Sequence, residues 1–259
     1  MGENTESLCE AVAEYLSPRL GIRIDYVTDI PWQERERLFD AGEIQILWLC
    51  GLPYVHKADL PENGLELLAV PVPAGPRHGG RAVYFSDVVV RKESHFQTFA
   101  DLRGAVWAYN EPRSHSGYNV VRAYLSEFGE IQGFFGKIIE SGTHQSALEM
   151  ILSSRADSAA IDSTVLDWIT FEQSKLSGQF RVIETLGPSP IPPWVIKKQV
   201  QKNIRRRLRT LLFQMVENPL GRSILKRGAI ARFASSHDGD YNAIRRMALA
   251  AERVALQAS

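Results

Sequence analysis

Ala105-Val-Trp-Ala-Tyr-Asn-Glu-Pro-Arg-Ser-His-Ser-Gly-Tyr118 is the stretch on which the fold turns. An apolar run of strand character ends at Tyr109, a polar loop runs from Asn110 to Gly117, and Tyr118 to Phe128 reads as a helix. The loop offers the Ser114 and Ser116 hydroxyls, and Gly117 lets the backbone come close to a ligand. A helix start leaves backbone N–H groups unpaired at the positive end of the helix dipole, so Ser116, Gly117 and Tyr118 have the makings of an anion site. A serine N-cap would use the same residues without any ligand, and residue chemistry alone leaves both readings open.

The same alternation extends to either side. Downstream come a short strand at Ile138-Ile139, a helix from Gln145 to Ser153, a strand from Ser158 to Ile161, a helix from Ser163 to Gln173 and a strand from Arg181 to Thr185. Upstream, Glu6 to Leu20 places Leu8, Val12, Tyr15 and Leu16 on one helical face. Ile22 to Val27 and Ile44 to Leu49 then read as strands around a helix from Trp32 to Phe39, with further strands at Leu65 to Val72 and Ala82 to Val90. After Gly187-Pro-Ser-Pro-Ile-Pro-Pro193 the chain reads as helical, with Ile204, Leu208, Leu211, Leu212 and Met215 on one face and Tyr241, Ile244 and Ala248 on another. Repeated strand–helix units place the chain in the α/β class, as two lobes with parallel-rich sheets flanked by helices.

Composition narrows the function classes. The 259 residues carry 30 Lys+Arg against 30 Asp+Glu, and this zero net charge removes the basic footprint of a general nucleic-acid binder. Arg205-Arg-Arg207 reads as a solvated helix face. No apolar run reaches the ~20 residues that span a bilayer. Met1-Gly-Glu-Asn-Thr-Glu-Ser has neither the basic nor the apolar region of a signal peptide. Cys9 and Cys50 form no disulfide framework or zinc spacing and read as plain thiols, and no cofactor or metal is expected.

Three further loops end strands, where open α/β sheets bind ligands. Ser141-Gly-Thr-His144 puts a histidine at a helix start, and Asp162 closes the apolar run Ala159-Ala-Ile161. Cys50-Gly-Leu-Pro-Tyr54 offers the Gly51 backbone and the Tyr54 ring, or is simply a tight turn. The plainer readings are a surface histidine and a helix-capping aspartate.

Seven segments occur together in one order: Cys50-Gly-Leu-Pro-Tyr-Val55, Tyr84-Phe-Ser-Asp-Val-Val-Val-Arg91, Phe99-Ala-Asp-Leu-Arg-Gly104, Asn110-Glu-Pro-Arg-Ser-His-Ser-Gly117, Ser141-Gly-Thr-His144, Ala156-Asp-Ser-Ala-Ala-Ile-Asp162 and Thr185-Leu-Gly-Pro-Ser-Pro190. From about Leu8 to Arg253 the chain thereby resembles the phosphate/phosphite/phosphonate substrate-binding proteins of ABC transporters. The resemblance implies a two-lobed type II periplasmic-binding fold. Lobe 1 is expected at residues 1–88 and 190–259 and lobe 2 at 89–189, with hinges near 85–92 and 184–194 and a ligand in the interlobe cleft. It implies ligand contacts from Ser114, His115, Ser116, Gly117, His144 and Asp162, with Tyr54 and Tyr84 as contacts from lobe 1. Position 115 varies in such proteins, which leaves the identity of the oxyanion open.

Relatives also begin with a strand ahead of the first helix, and that first strand of lobe 1 is missing from the expected element order here. The apolar segments Ile22–Val27 and Ile44–Leu49 would flank it. The implied function is capture of a small oxyanion for an ABC permease, by a monomer in the periplasm or another extracytoplasmic space. The missing signal peptide leaves a cytosolic setting open. An anion-sensing module and a hydrolase built on Ser114 or Ser116, His144 and Asp162 are the alternatives. The lack of a Gly-x-Ser-x-Gly elbow weighs against the hydrolase.

Overall fold

The computed structural model describes residues 3–172, 176 and 178–257. The first stretch alternates helices α1 (Glu3–Leu20), α2 (Trp32–Ala41) and α3 (Gly51–Ala58) with strands β1 (Ile46–Trp48) and β2 (Leu65–Pro73). The middle carries β3 (Val83–Arg91), β4 (Val106–Tyr109), β5 (Gln132–Phe135), β6 (Lys137–Glu140), β7 (Ser158–Asp162) and β8 (Phe180–Pro190). Among them lie α4 (Val120–Glu127), α5 (His144–Leu152) and α6 (Ser163–Glu172); Gln173, where the last helix was expected to end, lies outside the described residues. The final stretch holds β9 (Trp194–Lys197), α7 (Lys202–Phe213), α8 (Pro219–Arg227), β10 (Ile230–Ala234), α9 (Asn242–Ala251) and β11 (Ala255–Gln257).

These elements form two compact units, one of residues 3–83 and 190–241, the other of 84–189 and 242 onward. Residues 242–257 and Tyr84 to Val88, expected in lobe 1, group here with the second unit. Helix α9 packs on α4, the Arg122 guanidinium donates to the Val254 carbonyl at 2.9 Å, and β11 pairs in parallel with β5. Burial of Val254 and Leu256 in the second unit's core fixes that segment there.

The first unit's sheet has the order β1-β9-β2-β10, and its described pairs are antiparallel. Parallel-rich sheets were expected, and the parallel pairs lie in the other unit. The difference arises because Trp194-Val-Ile-Lys197, read as the start of a helical region, returns as a strand between β1 and β2. Behind it, Leu8, Val12, Tyr15 and Leu16 of α1 meet Leu208 and Leu212 of α7 and Ile224 and Leu225 of α8 in one core. Arg205 is not a solvated residue: its side chain is 13% exposed and pairs with Glu66 at 3.0 Å.

Ile22–Val27, expected as a strand, forms none. A strand needs a neighbour for its ladder, and among the described residues this segment has only the Ser17 side chain, which bonds the Ile24 N–H at 2.9 Å. Between it and β1 lies an apolar groove of about 110 Å³, floored by Val12 and Leu16 of α1 and walled by Ile24, Ile46 and Trp48. Lys197 N–H donates to Gln45 O and Leu49 N–H to Pro193 O, so in this register the backbone groups of Ile46 and Trp48 point away from β9, toward the groove. The strand with which relatives begin has no counterpart among the described residues. Burial pushes the Cys9 thiol in this groove up to about 12; neither Cys9 nor Cys50 is in a disulfide.

The second unit's sheet has the order β6-β4-β7-β3-β8. Strands β6 and β7 flank β4 in parallel, and β3 runs antiparallel to β7. Parallel direction puts the C-terminal ends of β4, β6 and β7 on one edge. The loops that leave them are Asn110–Ser114, Ser141–Thr143 and the junction at Asp162. Trp107 stacks on Phe135 with ring centres 4.6 Å apart, and Phe99 on Phe134 at 5.4 Å; this aromatic core anchors β4 below the first loop.

Candidate oxyanion site

The site is built on that edge of the second unit. After β4, the chain turns and enters a π-helical turn, His115–Asn119, that continues into α4. Ser114 is its cap: the hydroxyl oxygen accepts from the Gly117 N–H at 3.1 Å. The N–H groups of the first turn have no intrahelical acceptor and point outward with the helix dipole. A Cβ added to Gly117 would overlap Asn110 Oδ1 and lie 3.2 Å from His144 Cε1, so any side chain here would have to displace Asn110.

Ser116 Oγ lies 2.9 Å from His144 Nε2 and 3.5 Å from Ser114 Oγ. His144 is the first residue of α5, which Thr143 caps by accepting from the Ser146 N–H at 3.0 Å. Burial holds the His144 ring neutral, its pKa pushed down to about 3. Asp162 ends β7 and accepts from the Thr164 N–H at 2.8 Å and the Thr164 hydroxyl at 2.7 Å. Burial raises its pKa, and the two Thr164 bonds oppose that rise. Next to it, Ser163 Oγ accepts from the Phe85 N–H at 3.0 Å, which ties this end of β7 to β3.

The second unit thus gathers Ser114, Ser116, Gly117 and His144 around one helix start, with Asp162 at the same strand edge. The other expected residues are placed differently. The His115 ring is fully buried, with both nitrogens engaged, 3.1 Å from Asn119 Nδ2 and 3.0 Å from Ser189 Oγ. Tyr84 is fully buried with its ring edge-on to His115 at 6.5 Å, and it belongs to the second unit. Tyr54 belongs to the first, where Cys50-Gly-Leu-Pro-Tyr54 begins helix α3. Its hydroxyl donates to Asp238 at 2.9 Å and its ring packs on Tyr241 at 4.5 Å.

Sequence reasoning missed Asn110, Asn119 and Ser189. Asn119 follows His115 by four residues, the spacing at which helical side chains meet, and that signal was available. Ser189 is 74 positions away from His115 and had none.

A model of the periplasmic substrate-binding proteins of phosphonate ABC transporters matches residues 2–241. The chain belongs to this family. It is similar in fold to the binding-protein component of an ABC phosphonate transporter from Pseudomonas aeruginosa, at 18% identity and a TM-score of 0.83 over 97% of this chain and 83% of that one. A Prochlorococcus marinus protein in complex with methylphosphonate matches at 16% identity and a TM-score of 0.82, over 97% of this chain and 94% of that one. A Xanthomonas citri protein bound to ATP matches at 17% identity and a TM-score of 0.74, over 96% and 94%. The family is one of transport proteins, and the fold is the mixed α/β fold of type II periplasmic binding proteins.

Proposed function

We propose that this chain captures a phosphonate-class oxyanion at the helix start after β4 and delivers it to an ABC permease, in the periplasmic setting of its family, without catalysis. The observation that carries this reading is the convergence on one helix N-terminus of Ser114, Ser116 and the glycine-dependent turn at Gly117, with His144 2.9 Å from the second serine. Hydroxyls and the N–H groups of a helix start are donors suited to phosphonyl oxygens. Ser114, Ser116, Gly117 and His144 contact the anion, Asp162 reads its protonation or an attached amine, and Tyr54 and Tyr84 act as supports within their own units.

The Ser116–His144 pair also has the spacing of a nucleophile and its base. Asp162 accepts from Thr164 and the Val165 N–H, as a helix cap does, which supports the binding reading over a triad. A thermal-shift panel of methylphosphonate, aminoethylphosphonate, phosphite, phosphate and sulfate tests the proposal. Stabilisation by one of the phosphorus oxyanions is the expected result. A flat panel overturns it, and turnover of a phosphonate ester lost in Ser116→Ala would establish the hydrolase.

A further inference from the structure

The proposed site leaves His115 without a task, although its ring sits in the middle of the loop that forms the site. Asn119 Nδ2 carries only hydrogens, so at 3.1 Å it donates to His115 Nδ1, which must bear the lone pair. The ring proton is then on Nε2 and is donated to Ser189 Oγ at 3.0 Å. Burial keeps the ring uncharged, so this tautomer persists across the neutral range. Tyr84, which lies edge-on to the same ring, and Ser189 are the first and last residues of the second unit's main stretch. They sit on β8 and β3, adjacent strands of one sheet.

We propose that His115 is a positioning residue: an imidazole whose tautomer is fixed by Asn119 and Ser189 and that locks the Ser114 and Ser116 hydroxyls in register with β3 and β8, the strands at the two ends of the second unit's main stretch. The inference rests on reading Ser114–Gly117 as the oxyanion loop. A leucine at 115 fills similar space but leaves Asn119 and Ser189 buried without partners. A glutamine keeps one acceptor and one donor on a planar end and can serve both.

The test is calorimetric titration of methylphosphonate into the wild type, His115→Leu, His115→Gln and Ser189→Ala, with amide chemical shifts followed at Ser114, Ser116 and Ser189 and the ring nitrogens of His115 observed directly. His115→Leu is expected to weaken binding about tenfold or more, the loss of one to two buried hydrogen bonds, and to abolish the ligand-induced shift at Ser189. His115→Gln should restore both, and Ser189→Ala should weaken binding without itself touching the anion. Where His115→Leu fails to fold, the other two variants decide. Three results overturn the proposal: His115→Gln binding as poorly as His115→Leu, Ser189→Ala matching the wild type in affinity and in the Ser114 and Ser116 shifts, or a ring proton on Nδ1. If the wild type binds no methylphosphonate, the functional reading fails separately, and the tautomer and the effect of Ser189→Ala on the Ser114 and Ser116 amides still judge the positioning role.

Discussion

Ser116 Oγ and His144 Nε2 are 2.9 Å apart, so the loop after β4 and the first residue of α5 are joined by a side-chain hydrogen bond that neither element makes alone. Strand order explains it. Strands β4 and β6 are parallel neighbours, and their following loops therefore emerge side by side.

Ser116→Ala removes a donor aimed at the proposed anion together with the partner of His144. A hydrogen bond to a charged group contributes about 1.5–3 kcal/mol, so affinity for the stabilising oxyanion should fall roughly ten- to a hundredfold. Calorimetric titration measures this, and wild-type affinity would remove Ser116 from the site.

Gly117→Ala should destabilise the protein, because its Cβ would overlap Asn110 Oδ1 and press on His144 Cε1. Overpacking of this kind costs about 1–3 kcal/mol. The double change Asn110→Ala, Gly117→Ala should recover most of the loss. Equal melting temperatures for the wild type and Gly117→Ala would show that the turn has room the structure denies.

Acid should weaken the fold through its buried histidines. His115 and His144 are held near 3, against an ordinary value of 6.5, so between those values the unfolded chain binds protons that the folded state excludes. Their contribution is fully present above the ordinary value and is lost as pH falls through this window. Asp162, pushed upward by burial, works in the opposite sense: its folded state holds the proton more tightly, a contribution present below the ordinary 3.8 and lost as pH rises through the raised value. Urea unfolding from about pH 7.5 down to about 4.5 should show falling stability, and His144→Gln should flatten the slope. An unchanged slope in that variant would refute the assignment to His144.

Asp162 should set the preferred charge of the ligand. At an effective dielectric of about 20, two like charges ~4 Å apart cost about 4 kcal/mol. Among the described residues, the hydrogen bonds of Ser114, Ser116, His144 and Asp162 bring in no Lys or Arg to offset that. Binding should weaken as pH rises through the ligand's second ionisation, and Asp162→Asn should narrow the gap between monoanion and dianion. A flat affinity across that ionisation would leave Asp162 as a helix cap alone.

Much of this was legible in the residues. The face of Leu8, Val12, Tyr15 and Leu16 lies in the core because helical periodicity needs only local spacing, and the Ser114 cap was readable for the same reason. Two kinds of feature escaped. Strand β9 is a four-residue apolar run after a proline-rich stretch, and only its insertion between β1 and β2 distinguishes it from the start of a helix. Ile22–Val27 has strand composition but no ladder partner, a condition that composition cannot express. At the site, the strand-end rule located the loops, whereas the burial of His115 depended on Ser189, which the chain supplies from a distant strand.

The second unit is made mostly of one uninterrupted stretch, yet α9 and β11, which complete it, are synthesised after all the other described elements of both units. The first unit waits as well, since β9 divides its sheet and α7 and α8 close its core. On a ribosome adding about 5–20 residues per second, the first core cannot close before β10 has emerged, nor the second before Leu256 has. Nascent chains stalled short of residue 242 therefore expose the apolar surface that α9 covers, and it is in this interval that the molecule depends most on being kept from its neighbours.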